Sequence, residues 1–246
     1  MSKKDQSKIF QIFYDKLPDN IEEVMPKYDR TFLVTFLTPR YMILMDKKYH
    51  EMYKEFDYIC SDGASPIKLN KLFGKPKSLR ISFDMSSLAR RVLTELSQNG
   101  KGLYVLGTKQ EYLDKFLEVI QEEFKGINIV GSHNGYIKGQ EKDVVDDIMK
   151  SGAEMVIIGM GAPLQDVIAV SLKEAGFKGS VYTCGGFIHQ AAGKLNFWPE
   201  WANKYNLRWF YRYFCEKGTI KRLPYSILSL LKYSWFLLFN CKTTKE

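Results

Sequence analysis

The sequence predicts an α/β protein with a Rossmann-like, mostly parallel sheet, helices on both faces and a helical C-terminal appendage. The main observation is that short β-rich runs alternate with segments of helical periodicity over the first 200 residues. With 246 residues, 45% of them hydrophobic, the chain is also long enough to bury a sizeable core. Alternation of strands and helices is typical of parallel sheets that are buried on both faces.

Six runs are predicted as strands because β-branched and aromatic residues are concentrated in them. In chain order they are residues 30–38, 57–60, 102–107, 127–132, 154–159 and 179–184. Helical spacing is clearest in residues 111–124, where one face carries Tyr112, Phe116, Val119, Ile120 and Phe124.

The strand ends are the places where the sequence predicts a ligand, because open α/β sheets bind ligands beyond the carboxyl ends of their strands. Gly161, Gly185 and Gly186 follow two of the predicted strands. Glycine lets a backbone approach a ligand closely, and helix N-termini favour anions, so a phosphate-bearing ligand is expected. Tight turns alone would also explain these glycines.

Charge divides the chain into a predicted catalytic domain, residues 1–202, and a basic appendage, residues 203–246. The appendage holds nine Lys or Arg residues and two Glu residues, whereas the whole chain has a net charge of +8. The four cysteines form no C-x-x-C pair, and no apolar run with a cleavage site follows the polar start. These features predict a cytoplasmic, reducing compartment.

Several cofactor motifs are absent from the sequence. It contains no G-x-G-x-x-G, no P-loop and no D-x-D pair, and its histidines, His50, His133 and His189, are scattered. We therefore predict no metal and no cofactor. Two alternatives stay open: a dinucleotide-dependent oxidoreductase of the same architecture, and a nucleic-acid-binding protein that uses the Arg-aromatic run 207–214.

An ordered set of motifs resembles the WecG/TagA/CpsF glycosyltransferases, which form glycosyltransferase family 26. The motifs are LTP (37–39), SDGAS (61–65), RISFDM (80–85), VLG (105–107), GSHNGY (131–136), GMGAPLQD (159–166), CGGFIHQAAGK (184–194) and LRWFYR (207–212). The resemblance implies a bacterial, inverting, metal-independent enzyme of surface polysaccharide synthesis, such as capsule synthesis. Such an enzyme moves a hexose or N-acetylhexosamine from a UDP-sugar to a polyprenyl-diphosphate-linked sugar, with no nucleic acid partner.

The resemblance implies a catalytic role for Asp62, which matches the aspartate proposed as the family's general base. The structural alternative is an N-cap on the helix beginning near Ala64. Thr38 matches a threonine that hydrogen-bonds substrate, or it caps the helix after Pro39. Arg80 matches an arginine that meets a phosphate or sugar, or it forms a surface ion pair.

Six further residues are implied by the resemblance or by departures from it. Gln165 matches a glutamine that binds uracil or sugar hydroxyls, and Arg212 and Arg222 match arginines that neutralise the departing UDP. Arg40 and His189 stand where many members have asparagine and aspartate, and Asp166 replaces the usual glutamate. These departures predict a donor other than the N-acetylmannosamine type, with Arg40 and His189 as candidate substrate contacts; a structural role for His189 is the alternative.

The apolar segment 223–240 is predicted as an interfacial helix on the inner face of the cell membrane. A full span would place Lys232 deep in hydrocarbon at a cost of about 3 kcal/mol. One stripe carries Ser226, Ser229, Lys232 and Tyr233, which leaves a broad apolar surface. Packing on the core or on another subunit is the alternative, and the oligomeric state, including a homo-oligomer, stays open.

Overall fold

The computed structural model describes residues 3–193 and 219–242 and contains one six-stranded sheet in which every neighbouring pair is parallel. The strand order is β2-β1-β6-β5-β3-β4. The strands are β1 (Thr31–Leu37), β2 (Tyr58–Ser61), β3 (Gly102–Gly107), β4 (Asn128–His133), β5 (Met155–Gly159) and β6 (Gly179–Thr183). All six predicted strands and the predicted α/β class are confirmed.

Nine α-helices lie within the described ranges, 3–193 and 219–242. They are α1 (Lys3–Asp15), α2 (Pro39–Leu44), α3 (Ala64–Leu72), α4 (Leu88–Asn99), α5 (Gln110–Glu123), α6 (Glu141–Lys150), α7 (Leu164–Glu174), α8 (Phe187–Ala191) and α9 (Leu223–Phe239). Short 3-10 helices occupy Glu22–Val24, Lys47–Tyr49, Glu51–Glu55 and Thr219–Arg222.

The core has two parts, one on each face of the sheet, because successive strand residues point to opposite faces. In β1, Leu33 and Leu37 join a cluster with α1, α2, α6, α7 and α9, whereas Phe32 and Val34 join a cluster with α4, α5 and α8. Both sheet faces are therefore covered, which explains why the strand runs read as nearly continuous apolar sequence.

Helix α9 packs on α1, α2 and α3 through one face only. Its buried residues are Ser229, Tyr233, Phe236 and Leu237. The Tyr233 hydroxyl donates to Asn70 Oδ1 at 2.9 Å, and its ring lies 5.3 Å from that of Phe10. Half of the predicted polar stripe, Ser229 and Tyr233, thus faces the core together with Phe236 and Leu237.

The opposite face of α9 leaves large apolar side chains exposed: Tyr225, Ile227, Leu228, Leu231, Trp235, Leu238 and Phe239. No helix in residues 3–193 or 219–242 has the length and apolar character needed to cross a bilayer. The division into residues 1–202 and 203–246 stays a prediction. Helix α9, from the second part, packs in the same apolar cluster as α1 and α7 from the first part.

Candidate active site

The strand ends of β1 and β2 bring Thr38 and Asp62 to adjacent positions. Leu37 is the register partner of Ser61, and the Asp62 N–H donates to the Leu37 carbonyl at 3.1 Å. Thr38 and Asp62 are therefore the first residues beyond two paired strands. Because all strands are parallel, this pair lies at the edge where the other loops predicted to bind ligand also emerge.

Asp62 is exposed and stands just outside the helix that follows it. The N-cap position of α3 belongs to Gly63, and the helix begins at Ala64. Ser61 is fully buried, and its hydroxyl donates to the Gly63 carbonyl at 2.8 Å, which fixes the turn. Asp62 is therefore one residue before the N-cap position of α3.

Thr38 occupies the N-cap position of α2, but its side chain makes no capping hydrogen bond. Its hydroxyl oxygen is buried without a partner among the residues that the structure describes. A buried hydroxyl without a partner costs about 1–3 kcal/mol, so such groups are unusual and call for an explanation.

Arg40 lies in the first turn of α2, two residues after Thr38, and its guanidinium carbon is 4.9 Å from the Tyr41 ring centroid. The structure therefore places this cation on the same helix start as Thr38. A guanidinium there adds positive charge beside the strand ends.

The segment 80–85 crosses this edge of the sheet because Phe83 anchors it. The Phe83 ring lies 5.8 Å from Phe36 of β1 and 5.4 Å from both Tyr182 of β6 and Phe187 of α8. Arg80 lies three residues before this anchor, at the start of the segment.

The Arg80 guanidinium donates to Ser82 Oγ at 2.9 Å and lies 4.0 Å from Asp84 Oδ2. Its side chain is only 22% exposed. The ion pair that the sequence offered as the alternative is present within the segment, and it holds the cation in one arrangement.

Gln165 ties the β5 and β6 loops together. It is 2% exposed, and its Oε1 accepts the N–H groups of Gly161 and Gly185, each at 3.0 Å. The predicted binding residues Gly161, Gln165 and Gly185 are thus one hydrogen-bonded unit, and Gly186 follows as the N-cap of α8. The Gln165 carbonyl oxygen is directed at the protein backbone.

Asp166 is fully buried next to Gln165, in a polar cluster that the sequence interpretation missed. Its carboxylate accepts from the hydroxyls of Thr35 at 2.6 Å and Tyr53 at 2.8 Å, and Thr183 donates to Thr35 at 2.8 Å. Burial raises the pKa of Asp166 to about 6, although these hydrogen bonds oppose the shift. The available signal was Thr35 among the otherwise apolar residues 32–37 of β1, together with Thr183 at the end of β6.

The β3 and β5 ends approach so closely that only glycine fits. A Cβ on Gly107 would lie 2.4 Å from the Gly159 carbonyl oxygen. The next residue, Thr108, has a left-handed φ of 52°, and its carbonyl accepts from the Gly135 N–H at 2.8 Å. Backbone contacts therefore hold three loops together here, and the strained Thr108 is a second feature that sequence reasoning missed.

His189 lies on α8, one turn after the β6 loop, and is exposed. Its ring is 4.1 Å from that of Tyr112 on α5 in an edge-to-face arrangement. The structure therefore gives His189 an aromatic neighbour on the α5 side of the edge, away from the β1–β2 pair.

Two arginines of the predicted appendage, Arg212 and Arg222, are candidate UDP contacts. Arg212 lies outside the described residues. Arg222 is exposed at the N-cap of α9, whose inner face packs on α2, the helix that begins after Thr38. Among residues 3–193 and 219–242, no group of three His, Cys, Asp or Glu side chains is arranged to hold a metal ion.

Comparison with known proteins identifies the family. The model of the family described as "Glycosyl transferase WecG/TagA/CpsF family" matches residues 6–246. A relative from Shigella boydii, UDP-Gal:alpha-D-GlcNAc-diphosphoundecaprenol beta-1,4-galactosyltransferase, is 32% identical over 83% of this chain and 89% of its own length.

Two more distant relatives carry another name, N-acetylglucosaminyldiphosphoundecaprenol N-acetyl-beta-D-mannosaminyltransferase. The protein from Bacillus spizizenii is 26% identical over 77% of this chain and 71% of its own length. The protein from Bacillus subtilis is 24% identical over 82% of this chain and 76% of its own length. The family match covers nearly the whole chain and decides against the oxidoreductase and the nucleic-acid-binding alternatives. The chain belongs to the WecG/TagA/CpsF family of glycosyltransferases.

Proposed function

We propose that this protein transfers a hexose from a UDP-sugar to N-acetylglucosamine carried on a polyprenyl diphosphate, in bacterial surface polysaccharide synthesis. The acceptor is supported by the names of all three relatives, which contain N-acetylglucosamine joined to diphosphoundecaprenol. The donor is supported by the 32% identical relative, whose name specifies UDP-Gal, whereas the mannosaminyltransferases are 26% and 24% identical. UDP-galactose is therefore the first donor to test.

The observation that carries the proposal is the position of Asp62 beside Thr38 on paired strand ends. In the proposed reaction, the acceptor hydroxyl oxygen forms a bond to the anomeric carbon while the bond from that carbon to the UDP oxygen breaks. Asp62 takes the hydroxyl proton, and UDP leaves with the bonding electron pair. Attack opposite to the leaving group inverts the anomeric configuration, in line with the beta linkage in the galactosyltransferase name.

Arginines supply the positive charge that the departing diphosphate needs. Arg40 follows Thr38 in the first turn of α2, and we assign the same role to Arg80, Arg222 and Arg212. A guanidinium binds phosphate oxygens through two parallel hydrogen bonds, so several of them can neutralise UDP without a divalent ion. The proposed mechanism is accordingly metal-independent.

The exposed face of α9 suits the surface of the cytoplasmic membrane leaflet, where a polyprenyl-linked acceptor is held. Leu231, Trp235 and Phe239 are 64%, 56% and 64% exposed, and Lys221 and Arg222 are exposed at the start of the helix. Apolar side chains that enter the interface and cations that meet anionic headgroups both favour binding, each cation by about 1 kcal/mol. Because the inner face of α9 is anchored by Tyr233 and Phe236, the helix can present this surface without leaving the core.

Sedimentation with vesicles that contain phosphatidylglycerol tests this surface. The full chain should bind at low salt and be partly released by high salt, and the double variant Leu231→Ser/Trp235→Ser should bind at least tenfold more weakly. Tyr136→Ser is the matched control, because Tyr136 is 69% exposed but follows β4 at the far edge of the sheet. Equal binding by the double variant and the control would exclude α9 as the docking surface.

The enzymatic proposal is tested by UDP release with a short polyprenyl-diphosphate N-acetylglucosamine acceptor and a panel of UDP-sugars. Asp62→Asn should lower turnover by roughly 10²–10⁴-fold, while UDP affinity and the melting temperature stay nearly unchanged. Asp143→Asn is the control, because Asp143 is an exposed aspartate in the first turn of α6, beyond the opposite edge strand β4. Near-normal turnover by Asp62→Asn would refute the base assignment, and no release from any UDP-hexose would refute the donor class.

A further inference from the structure

The first turn of α7 joins the strand ends of β5, β6 and β1 through two adjacent side chains. Gln165 reaches across the loops that follow β5 and β6, while Asp166 points into the core beneath them. We propose that Gln165 is a positioning residue that holds the Gly161 and Gly185 loops in the arrangement that binds the UDP part of the donor. This inference rests on the proposed function for the identity of the ligand.

The hydrogen bonds of Gln165 leave its carbonyl oxygen fully occupied. A side-chain amide oxygen has two lone pairs, and Oε1 accepts from both Gly161 and Gly185 at 3.0 Å. The Gln165 backbone N–H also donates to the Gly161 carbonyl at 3.2 Å, so these two residues are linked in both directions. This oxygen therefore has no lone pair for the uracil N–H, and the two glycine N–H groups have none of their capacity left for a phosphate.

The two glycines let the loops after β5 and β6 take a left-handed turn. Their φ angles are +82° and +55°, and a Cβ at either would meet no atom of the described residues within 4 Å. Gly107 is different, since a Cβ there would collide with the backbone of β5. The β5 and β6 loops thus need glycine for their conformation.

Asp166 anchors the first turn of α7, the turn that carries Gln165. Its two hydrogen bonds to Thr35 and Tyr53 tie the first turn of α7 to β1 and to the 3-10 helix Glu51–Glu55, and Thr183 of β6 joins through Thr35. All four side chains are fully buried. A helix start held in this way lets Gln165 set the distance between the two loops with little freedom.

Two variants separate positioning from direct contact with the ligand. Gln165→Met keeps the size of the side chain but removes the acceptor, whereas Gln165→Glu keeps acceptor oxygens and removes the NH₂ donor. We expect Gln165→Met to weaken UDP binding, measured by calorimetry, about tenfold or more. We expect Gln165→Glu to stay within about threefold of the wild type.

Hydrogen exchange of the Gly161 and Gly185 amides, followed by NMR, measures their hydrogen bonds to Gln165 Oε1 in the absence of a ligand. Both amides should be protected in the wild type and in Gln165→Glu, and exchange at least tenfold faster in Gln165→Met. If the wild-type amides exchange as fast as free loop amides, these hydrogen bonds do not exist, and this measurement holds even if Gln165→Met fails to fold. The exchange result also stands if no UDP-sugar is turned over, so failure of the proposed function is distinguishable.

Three outcomes overturn the positioning role. In the first, both variants weaken UDP binding equally while the glycine amides stay protected, which would make the NH₂ group a direct ligand contact. In the second, Gln165→Glu keeps the protection but loses UDP affinity as Gln165→Met does. In the third, Gln165→Met lowers only the melting temperature and leaves UDP affinity unchanged, which would make the bond merely structural.

Discussion

The buried carboxyl group of Asp166 predicts a specific pH dependence of folding stability. Its pKa is raised from an ordinary 3.8 to about 6, because burial disfavours the charged form more than the hydrogen bonds from Thr35 and Tyr53 favour it. Between these two values the folded protein binds more protons at this site than the unfolded chain does. Stability from this group is therefore fully present below pH 3.8 and is lost as the pH rises through 6.

The size of the effect follows from the two pKa values. A tenfold change in proton affinity corresponds to about 1.4 kcal/mol, so the whole difference is about 3 kcal/mol, of which about 2 kcal/mol falls between pH 4.5 and pH 7. Asp166→Asn removes the titrating group but keeps the shape. The free energy of unfolding of the wild type minus that of Asp166→Asn should therefore decrease by about 2 kcal/mol over this range.

Urea unfolding at a series of pH values, followed by far-UV circular dichroism, measures this difference. Other carboxyl groups titrate in the same range, but they contribute equally to both proteins and cancel in the subtraction. Asp114→Asn, which removes an exposed aspartate on α5, should give a curve parallel to the wild type. If the Asp166→Asn curve is parallel as well, Asp166 does not titrate near pH 6 and the argument from burial is wrong.

Three further predictions concern single side chains. Thr38→Val should cut turnover at least tenfold. The melting temperature should stay equal or rise, because the variant removes a buried hydroxyl without a partner among the described residues. A lower melting temperature with normal turnover would indicate a structural role instead. Tyr233→Phe should lower the free energy of unfolding by about 1–3 kcal/mol in urea, because Asn70 Oδ1 loses its buried donor; unchanged stability would contradict this. Arg222→Ala should lower turnover more than Arg222→Lys, and EDTA should leave the wild type active; restoration of a chelated enzyme by Mg²⁺ would refute the metal-free mechanism.

The sequence alone determined the strands, the parallel class of the sheet and the family. Runs such as 102–107 and 155–159 carry no charged residue, because both faces of a central parallel strand are buried, and this local pattern needs no knowledge of the neighbours. Ordered motifs located Asp62, Thr38 and Arg80 because they are read directly along the chain. The tertiary structure adds that Asp62 and Thr38 are side by side and that Gly63 takes the N-cap position.

Only the tertiary structure decided which polar groups meet. Thr35 and Thr183 are 148 residues apart and touch because β1 pairs with β6, a pairing that periodicity cannot reveal. Likewise, the stripe on α9 was visible in the sequence, but its inward direction depends on Asn70 of α3, which gives the Tyr233 hydroxyl a buried acceptor. The hydrophobic pattern depends only on residues that are neighbours along the chain. A hydrogen bond needs two groups about 3 Å apart, and that distance is fixed only when the whole sheet is assembled.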